Sequence, residues 1–186
     1  MTALSLAASE NFTIRQEEGQ QSQPLVGDPG GDTNWGITLA RLSEWRGDVC
    51  TAKDVYNLRF EEAAAIFHGG YWNALMCDRL WQGLDLMVAD HAFNCGVEIS
   101  AEILQTLLGV KVDHRIGPIT IRAATFLSDR ANFLYRLRVA QEADYRTKAN
   151  FPLFGDEWTG NPKAKNEWRR LGRLGRRYQA ALAILP

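Results

Sequence analysis

The sequence predicts an α+β fold that is predominantly helical, with one small β-hairpin near the N-terminus. Two observations in the first forty residues predict the hairpin. Residues 28–31, Asp-Pro-Gly-Gly, have the composition of a tight turn, because proline presets φ at the second turn position and glycine accepts φ > 0 at the third. Residues 33–38 then alternate in polarity, as a short strand does. Capping residues and apolar periodicity predict helices over most of the remaining chain.

The predicted helices follow from their caps and their apolar faces. Ser9, Thr51 and Asp129 stand where N-caps are expected, and Gly96 and Gly109 stand where helices end. Residues 84–94 are strongly apolar and predict a central buried helix. Residues 150–161 read as a loop rich in aromatic residues, glycine and proline. The helices are predicted at 9–17, 38–45, 52–57, 61–68, 84–94, 100–108, 118–127, 129–148 and from 162 onward.

Composition is that of a globular chain. With 186 residues and 46% hydrophobic residues, the chain can bury a sizeable core in one domain, or in one domain with an appendage. It has no apolar run of the roughly 18–20 residues that a transmembrane helix needs. Cys50, Cys77 and Cys95 cannot all pair and lack the spacing of a zinc site, so we expect reduced thiols. Residues 1–8 lack the basic region of a signal peptide.

The chain carries a strongly basic segment near its C-terminus. Residues 163–178 hold seven basic residues and one acidic residue. One interpretation is a surface that attracts an anionic envelope polymer or membrane. The other is an ordinary solvated helix, in which leucines and a tyrosine at helical spacing face inward and the arginines face water. A nucleic-acid partner is not expected, because the rest of the chain is acidic. The arginines in question are Arg169, Arg170, Arg173, Arg176 and Arg177.

Acidic residues flank the predicted hairpin. Glu17 and Glu18 fall at the last turn of the first predicted helix, and Asp28 and Thr33 lie in and after the turn. A carboxyl at a helix end that faces a second carboxylate and a hydroxyl suits general acid catalysis of glycosidic bond cleavage. The alternative is that both glutamates are solvated and that Asp28 only caps a turn.

The same stretch resembles the signature of glycoside hydrolase family 108, a lysozyme-like family of phage and bacterial N-acetylmuramidases. The resemblance lies in Glu18-Gly19 followed by residues 28–38, Asp-Pro-Gly-Gly-Asp-Thr-Asn-Trp-Gly-Ile-Thr, and continues in shorter matches to about residue 150. Gln20 stands where the family has a second glycine, and one extra residue precedes Asp28, so Glu17 stays an alternative for the acid. One hairpin among many helices is the order that a lysozyme-like fold would have.

The resemblance implies roles for individual residues. Glu18 would be the catalytic acid, Asp28 the base or electrostatic partner, and Thr33 the hydroxyl that positions water. Each substrate-binding candidate also has a structural alternative, since aromatic residues are more often core and an asparagine often ends a helix. No metal or cofactor is implied, and His91 is expected to be a hydrogen-bonded core histidine. The substrate-binding candidates are Asn34, Trp35, Tyr71, Asn94 and Gln105.

These observations predict a peptidoglycan hydrolase that cleaves the bond between N-acetylmuramic acid and N-acetylglucosamine, by an inverting route. We expect a catalytic region at 1–93 and a helical peptidoglycan-binding region at 94–186. The protein would be made in the bacterial cytoplasm and reach the periplasm or wall by another factor, and candidate partners are a holin, a secretion system or an immunity protein. The rival functions are a non-catalytic wall-binding module and, on the basic segment, a nucleic-acid-binding protein.

Overall fold

The computed structural model describes residues 3–18 and 31–185. Within them lie ten α-helices and one two-stranded antiparallel sheet, as the sequence predicted for an α+β chain. Every helix in this described part is too short or too polar to cross a membrane. The strands are β1 Thr33–Asn34 and β2 Ile37–Thr38, and the helices are α1 Ala3–Glu10, α2 Leu39–Arg46, α3 Ala52–Tyr56, α4 Phe60–Phe67, α5 Leu84–Cys95, α6 Val97–Leu108, α7 Pro118–Thr125, α8 Arg130–Thr147, α9 Phe151–Thr159 and α10 Glu167–Ala183.

Three segments differ from their predicted structure. Residues 33–38, predicted as one strand after a turn at 28–31, contain both strands of the hairpin and its turn at Trp35 and Gly36, while residues 28–30 lie outside the described residues. The first helix begins at Ala3 rather than at residue 9, and continues as a wider π-helical segment, Asn11–Glu18. Residues 151–159 form α9 instead of a loop. Two phenylalanines and a tryptophan recur there at helical spacing, and their rings pack at 5.9–6.4 Å between centroids. The aromatic residues that suggested an irregular loop are therefore the packing face of a helix.

The described residues form two compact units. The hairpin unit comprises those from Glu10 to Gly70, and the helical unit comprises those up to Ser9 together with those from Tyr71 onward. The boundary predicted from sequence, between residues 93 and 94, falls within helix α5. The division of catalytic and wall-binding roles at that point stays a prediction.

In the hairpin unit, the small sheet passes directly into a helix. Thr38 ends β2 and also caps α2, because its hydroxyl oxygen accepts a hydrogen bond from the backbone N–H of Arg41 at 3.2 Å. Arg46, near the end of α2, binds the carboxylate of Glu62 on α4 through two hydrogen bonds of 2.8 Å. The core of this unit includes Phe12, Ile14, Ile37, Leu42, Val55, Ile66 and Phe67.

In the helical unit, α5 is the central helix. All residues from Leu84 to Ala92 are buried, which confirms the prediction of a buried helix. Helices α6, α8 and α10 pack around it. A helix that is buried on every side is stable only in such an enclosed position, because no face is left for water.

The buried face of α5 also carries a charged group, and this corrects the prediction for the basic segment. The carboxylate of Asp90 is fully buried and pairs with Arg173 Nη2 at 2.6 Å and Arg177 Nη1 at 2.5 Å. Both arginines are at most 5% exposed, so neither belongs to a solvated face or to an anion-binding surface. A buried carboxylate is stable only with compensating partners, and the i, i+4 arginines of α10 supply them.

Helix α10 reaches this position with a break at Gly172. That residue has φ 61° and ψ 177°, which are not helical. A Cβ atom at Gly172 would lie 2.2 Å from the backbone nitrogen of Gly160, so the two backbones are in direct contact. Only glycine permits both the dihedral angles and this close approach.

Candidate active site

The hairpin that follows residue 30 closes through a turn with two positive φ angles. Asn34 pairs with Ile37, and the two residues between them, Trp35 and Gly36, have φ 55° and 73°. Such angles characterise the type I′ turn, whose twist matches that of a hairpin. A tryptophan rarely adopts this conformation, so it needs support from its surroundings.

That support comes from the segment that joins α3 to α4. The indole N–H of Trp35 donates to the carbonyl of Leu58 at 3.1 Å, and its ring meets the ring of Phe60 edge-on, with centroids 5.7 Å apart. Trp35 is only half-buried, so part of its ring stays accessible. The prediction that it stacks on a sugar is therefore compatible with its position.

Asn34 is fully buried, and its side chain serves the same junction. Its amide group donates to the carbonyls of Val55, Tyr56 and Leu58 at 3.0, 3.3 and 3.4 Å. These bonds fasten the hairpin to the end of α3. A contact between Asn34 and a sugar would require this bonded network to open, and the geometry gives the residue a structural role instead.

Thr33 lies at the start of β1 and is half-buried. Its hydroxyl donates to the carbonyl of Gly31 at 3.2 Å. With its hydrogen used in this way, the oxygen can still accept a hydrogen bond from a water molecule. This arrangement is compatible with the water-positioning role predicted for Thr33.

Asp32 is a carboxylate that sequence reasoning did not single out. The hydroxyl of Tyr56 donates to its Oδ1 at 2.5 Å, and its backbone carbonyl accepts from the N–H of Leu39 at 3.0 Å. Burial, together with this hydrogen bond to Asp32, raises the pKa of Tyr56 to about 12, so the phenol stays protonated and holds the carboxylate. The signal was present in the sequence, because Asp32 directly precedes Thr33 in the signature.

The segment that carries the two glutamates contacts the same group of residues through Arg15. The π-helical segment ends at Glu18, so Glu17 and Glu18 fall in its last turn, as predicted. The Arg15 guanidinium lies 4.1 Å from the centre of the Phe60 ring, the ring that also packs against Trp35. Phe60 thus joins the helix that carries the two glutamates to the hairpin.

Two of the predicted catalytic positions are described only in part or not at all. The structure describes the backbone of Glu18, and Asp28 lies outside the described residues. The hairpin unit contains another carboxyl at Glu10, the last residue of α1. Burial raises the pKa of Glu10, and the nearby charge of His68 opposes part of this rise.

The remaining predicted substrate contacts lie in the helical unit. Tyr71 is half-buried, with its ring 5.1 Å from that of Phe93, while Trp72 is a core residue whose indole donates to Asp78 at 2.6 Å. Asn94 is exposed and donates to the carbonyl of Asp90 at 2.7 Å, so it bonds back onto its own helix.

Gln105 is buried and organises the loop before α7. Its amide donates to the Asp113 carboxylate at 2.7 Å and to the carbonyl of Arg115 at 3.0 Å. Its own oxygen accepts from the backbone N–H groups of Asp113 and His114 at 3.1 and 3.0 Å. A side chain with this many internal partners acts as a clamp on the loop, which accounts for the residue without a ligand.

Comparison with known proteins identifies the family. Residues 11–96 match the family model described as glycosyl hydrolase 108. A solved structure of SagA from Brucella abortus superposes with a TM-score of 0.83 at 30% sequence identity, covering 98% of this chain and 97% of that one. No curated protein matches the chain in sequence. The chain therefore belongs to the glycosyl hydrolase 108 family, with its lysozyme-like α+β fold and a peptidoglycan hydrolase function.

Proposed function

We propose that the protein is an N-acetylmuramidase that cleaves the β-1,4 bond between N-acetylmuramic acid and N-acetylglucosamine. The observation that carries this proposal is the junction at Phe60, where the helix ending in Glu17 and Glu18 and the hairpin that begins at Thr33 meet one ring. The family signature spans both sides of that junction. A general acid and a water-positioning group must act on the same bond, and a shared rigid support favours this.

In the proposed reaction, Glu18 donates a proton to the glycosidic oxygen as the bond to the anomeric carbon of N-acetylmuramic acid breaks. Asp28 takes a proton from a water molecule, and the oxygen of that water forms the new bond to the anomeric carbon. Thr33 would accept a hydrogen bond from the same water. Glu18 must be protonated at working pH, which requires a pKa raised towards ~6 by dry surroundings.

An inverting outcome follows if water stands between the two carboxyl groups. Inverting enzymes separate them by roughly 6.5–9.5 Å, and retaining enzymes by roughly 5–5.5 Å. This chain departs from the family pattern at Gln20 and by one extra residue before Asp28. Glu17 is therefore the alternative acid, one residue from Glu18 on the same helical turn.

In a cell, the activity would serve lysis or remodelling of a bacterial wall. Access to the wall would then depend on a holin or a secretion system, and an immunity protein is a further candidate partner. Lysis and remodelling use the same reaction. The location of the protein in the cell, and not its chemistry, would distinguish the two roles.

The test is digestion of purified peptidoglycan by wild type, Glu17→Gln and Glu18→Gln, with mass analysis of the products. We expect muropeptides with a reducing N-acetylmuramic acid end from wild type and from Glu17→Gln. The Glu18→Gln variant should lose at least a hundredfold in rate, the lower end of general acid contributions of about 10²–10⁴. Glutamine keeps the shape of glutamate, so folding is not the variable.

Other outcomes decide among the alternatives. Loss only in Glu17→Gln would keep the function and move the acid by one residue. Binding of the wall by all three proteins with no cleavage would overturn the enzymatic proposal and leave a wall-binding module.

A further inference from the structure

Three potential metal ligands meet between α5 and α8 in the helical unit. His91 and Cys95 stand one helical turn apart on α5, and Asp144 faces them from α8. One ring nitrogen, the thiol sulfur and one carboxylate oxygen all lie within 4.8 Å of one another. The proposed glycosidase chemistry uses none of these residues.

His91 is the unusual member of this group. The residue is fully buried, yet neither of its ring nitrogens has a hydrogen-bond partner among the described residues. Its Nε2 lies 3.2 Å from Asp144 Oδ2, close enough for attraction but not aligned for a hydrogen bond, and that oxygen is also without a hydrogen bond in the described part. The expectation of a core histidine is confirmed for its burial, and the polar neighbour of the imidazole is Asp144.

Leaving such groups unsatisfied is costly. A buried polar atom without a well-aligned partner loses its hydrogen bonds to water without replacement, and native cores rarely leave two such atoms facing each other. The edge of the Tyr145 ring, 5.4 Å away between centroids, provides packing on one side of the imidazole but no acceptor or donor for its nitrogens. A group that accepts electron pairs from both His91 and Asp144 would remove this deficit.

We propose that His91, Cys95 and Asp144 bind a divalent transition-metal ion, with zinc as the best chemical fit. Nitrogen, sulfur and carboxylate oxygen are the three donor types that zinc takes in proteins, and softer or harder ions favour more uniform donor sets. Cys95 and Asp144 are only half-buried, so a water molecule can supply the fourth position of a tetrahedral site.

The state of each donor agrees with this assignment. A neutral imidazole binds a metal through the lone pair of one ring nitrogen, and His91 presents such a nitrogen to Cys95 and Asp144. Cys95 would bind as a thiolate, so the metal would replace the thiol proton, which leaves to solvent. Asp144 offers Oδ2 while Lys148 holds Oδ1 at 2.8 Å.

The charges around the site limit its affinity for a divalent metal ion. Lys148 and the buried Arg177 repel a dication, whereas Asp90 attracts it and is itself paired with Arg173 and Arg177. The site should therefore bind metal more weakly than a closed four-ligand site. A bound ion would fasten the central helix α5 to α8, as a structural crosslink inside the helical unit.

The test uses cobalt(II) as a spectroscopic substitute for zinc, with the full-length protein freed of metal by a chelator. We expect saturable visible bands of tetrahedral cobalt together with a thiolate charge-transfer band in the near ultraviolet. One equivalent of zinc should remove both. Cys95→Ser should abolish the charge-transfer band, and Cys50→Ser, which changes the half-buried thiol of the hairpin unit, should keep it.

A second variant guards against misfolding of the first. Asp144→Asn keeps the thiol and the shape of the side chain, and should weaken cobalt binding at least tenfold while the charge-transfer band stays observable at high cobalt. Zinc should raise the Tm of wild type and of Cys50→Ser, but not that of Cys95→Ser. Absence of a charge-transfer band in wild type, or a band that survives Cys95→Ser, would overturn the proposal.

Discussion

Thr33 and Asn34 are neighbours in one short strand, and the structure gives them different surroundings. Asn34 is buried and bonded to three backbone carbonyls, whereas Thr33 is half-buried with one hydroxyl bond. Both residues belong to the signature motif, which does not show which of them is buried. Their burial separates a residue that holds the hairpin in place from one that is free to act on a ligand.

This difference predicts that two alanine substitutions affect different properties, stability for Asn34 and the rate of cleavage for Thr33. Asn34→Ala should lower the free energy of unfolding by about 2–3 kcal/mol, because buried carbonyls lose their donor. Thr33→Ala should lower it by less than about 1 kcal/mol, and should reduce the rate of peptidoglycan cleavage if Thr33 positions the attacking water. Urea unfolding and the digestion assay measure the two quantities separately.

The control for this pair is Thr38→Ser, which keeps the hydroxyl that caps α2. It should change neither stability nor rate by much. A Thr33→Ala protein that is fully active would contradict the catalytic role of Thr33, and a stable Asn34→Ala protein would contradict the structural role of Asn34.

At the scale of single elements, α5 holds two buried aspartates whose pKa values are shifted in opposite directions. The Asp90 carboxylate is paired with two arginines, and its pKa is lowered, because these cations outweigh the effect of burial. Asp85 accepts hydrogen bonds from the Ser5 hydroxyl and from the N–H groups of Gly83 and Leu86, and within the described part of the chain no cation pairs with it. Burial therefore raises its pKa.

The raised pKa of Asp85 makes a signed prediction about pH. A carboxyl whose pKa is higher in the folded state contributes most to stability below its unfolded pKa, near 3.8, and this contribution is lost as pH rises through the folded value. Asp85→Asn does not titrate. Its stability relative to wild type should therefore increase with pH above about 4 and then become constant. Urea unfolding at a series of pH values measures this difference.

Asp90→Asn supplies the contrast within the same helix. At neutral pH it should destabilise the protein by about 3–5 kcal/mol, because two buried guanidinium groups lose their counter-charge. Arg169→Gln, an exposed position of the basic segment, should change stability by no more than about 0.5 kcal/mol. A difference between Asp85→Asn and wild type that is the same at every pH would contradict the raised pKa.

At the scale of the whole molecule, burial redistributes the charge that the sequence suggests. The chain has a formal net charge of −1, and the basic segment looked like a continuous cationic face. Arg173 and Arg177 are buried and share the carboxylate of Asp90 inside the helical unit, and Arg176 lies 3.8 Å from the centre of the Trp168 ring. The exposed cations of the segment are Lys163, Lys165, Arg169 and Arg170.

This smaller patch predicts weak, salt-sensitive attraction to anionic wall polymer. Removing two charges with Arg169→Gln and Arg170→Gln should lower binding to teichoic-acid-bearing walls several-fold at low salt. The difference should vanish near 1 M salt, where charges are screened beyond about 3 Å. Co-sedimentation with purified walls, with and without teichoic acid, measures it.

The matched control removes the same charge elsewhere. Arg59→Gln combined with Arg115→Gln changes two exposed arginines outside the basic segment. If this pair weakened binding as much as the first pair, net charge and not the patch would be responsible.

The sequence by itself determined the family, the hairpin and the central helix, because each depends on chemistry that is local in the chain. The capping Thr38 and the apolar run of α5 act through their own backbone angles and polarity. The position of the hairpin turn was predicted wrongly, because the turn between the two strands is formed by Trp35 and Gly36. The glutamates at the end of the π-helical segment were predictable for the same reason.

Only the tertiary structure decided what depends on partners far away in the chain. Arg173 and Arg177 fit a solvated helix until Asp90 is brought against them, 83 and 87 residues away in sequence. Asp32 acquires its hydrogen-bonded state from Tyr56, and His91 meets Asp144 only when α5 packs on α8. Periodicity records which side of a helix is apolar, but a buried charge and its partner become visible only when the chain is folded.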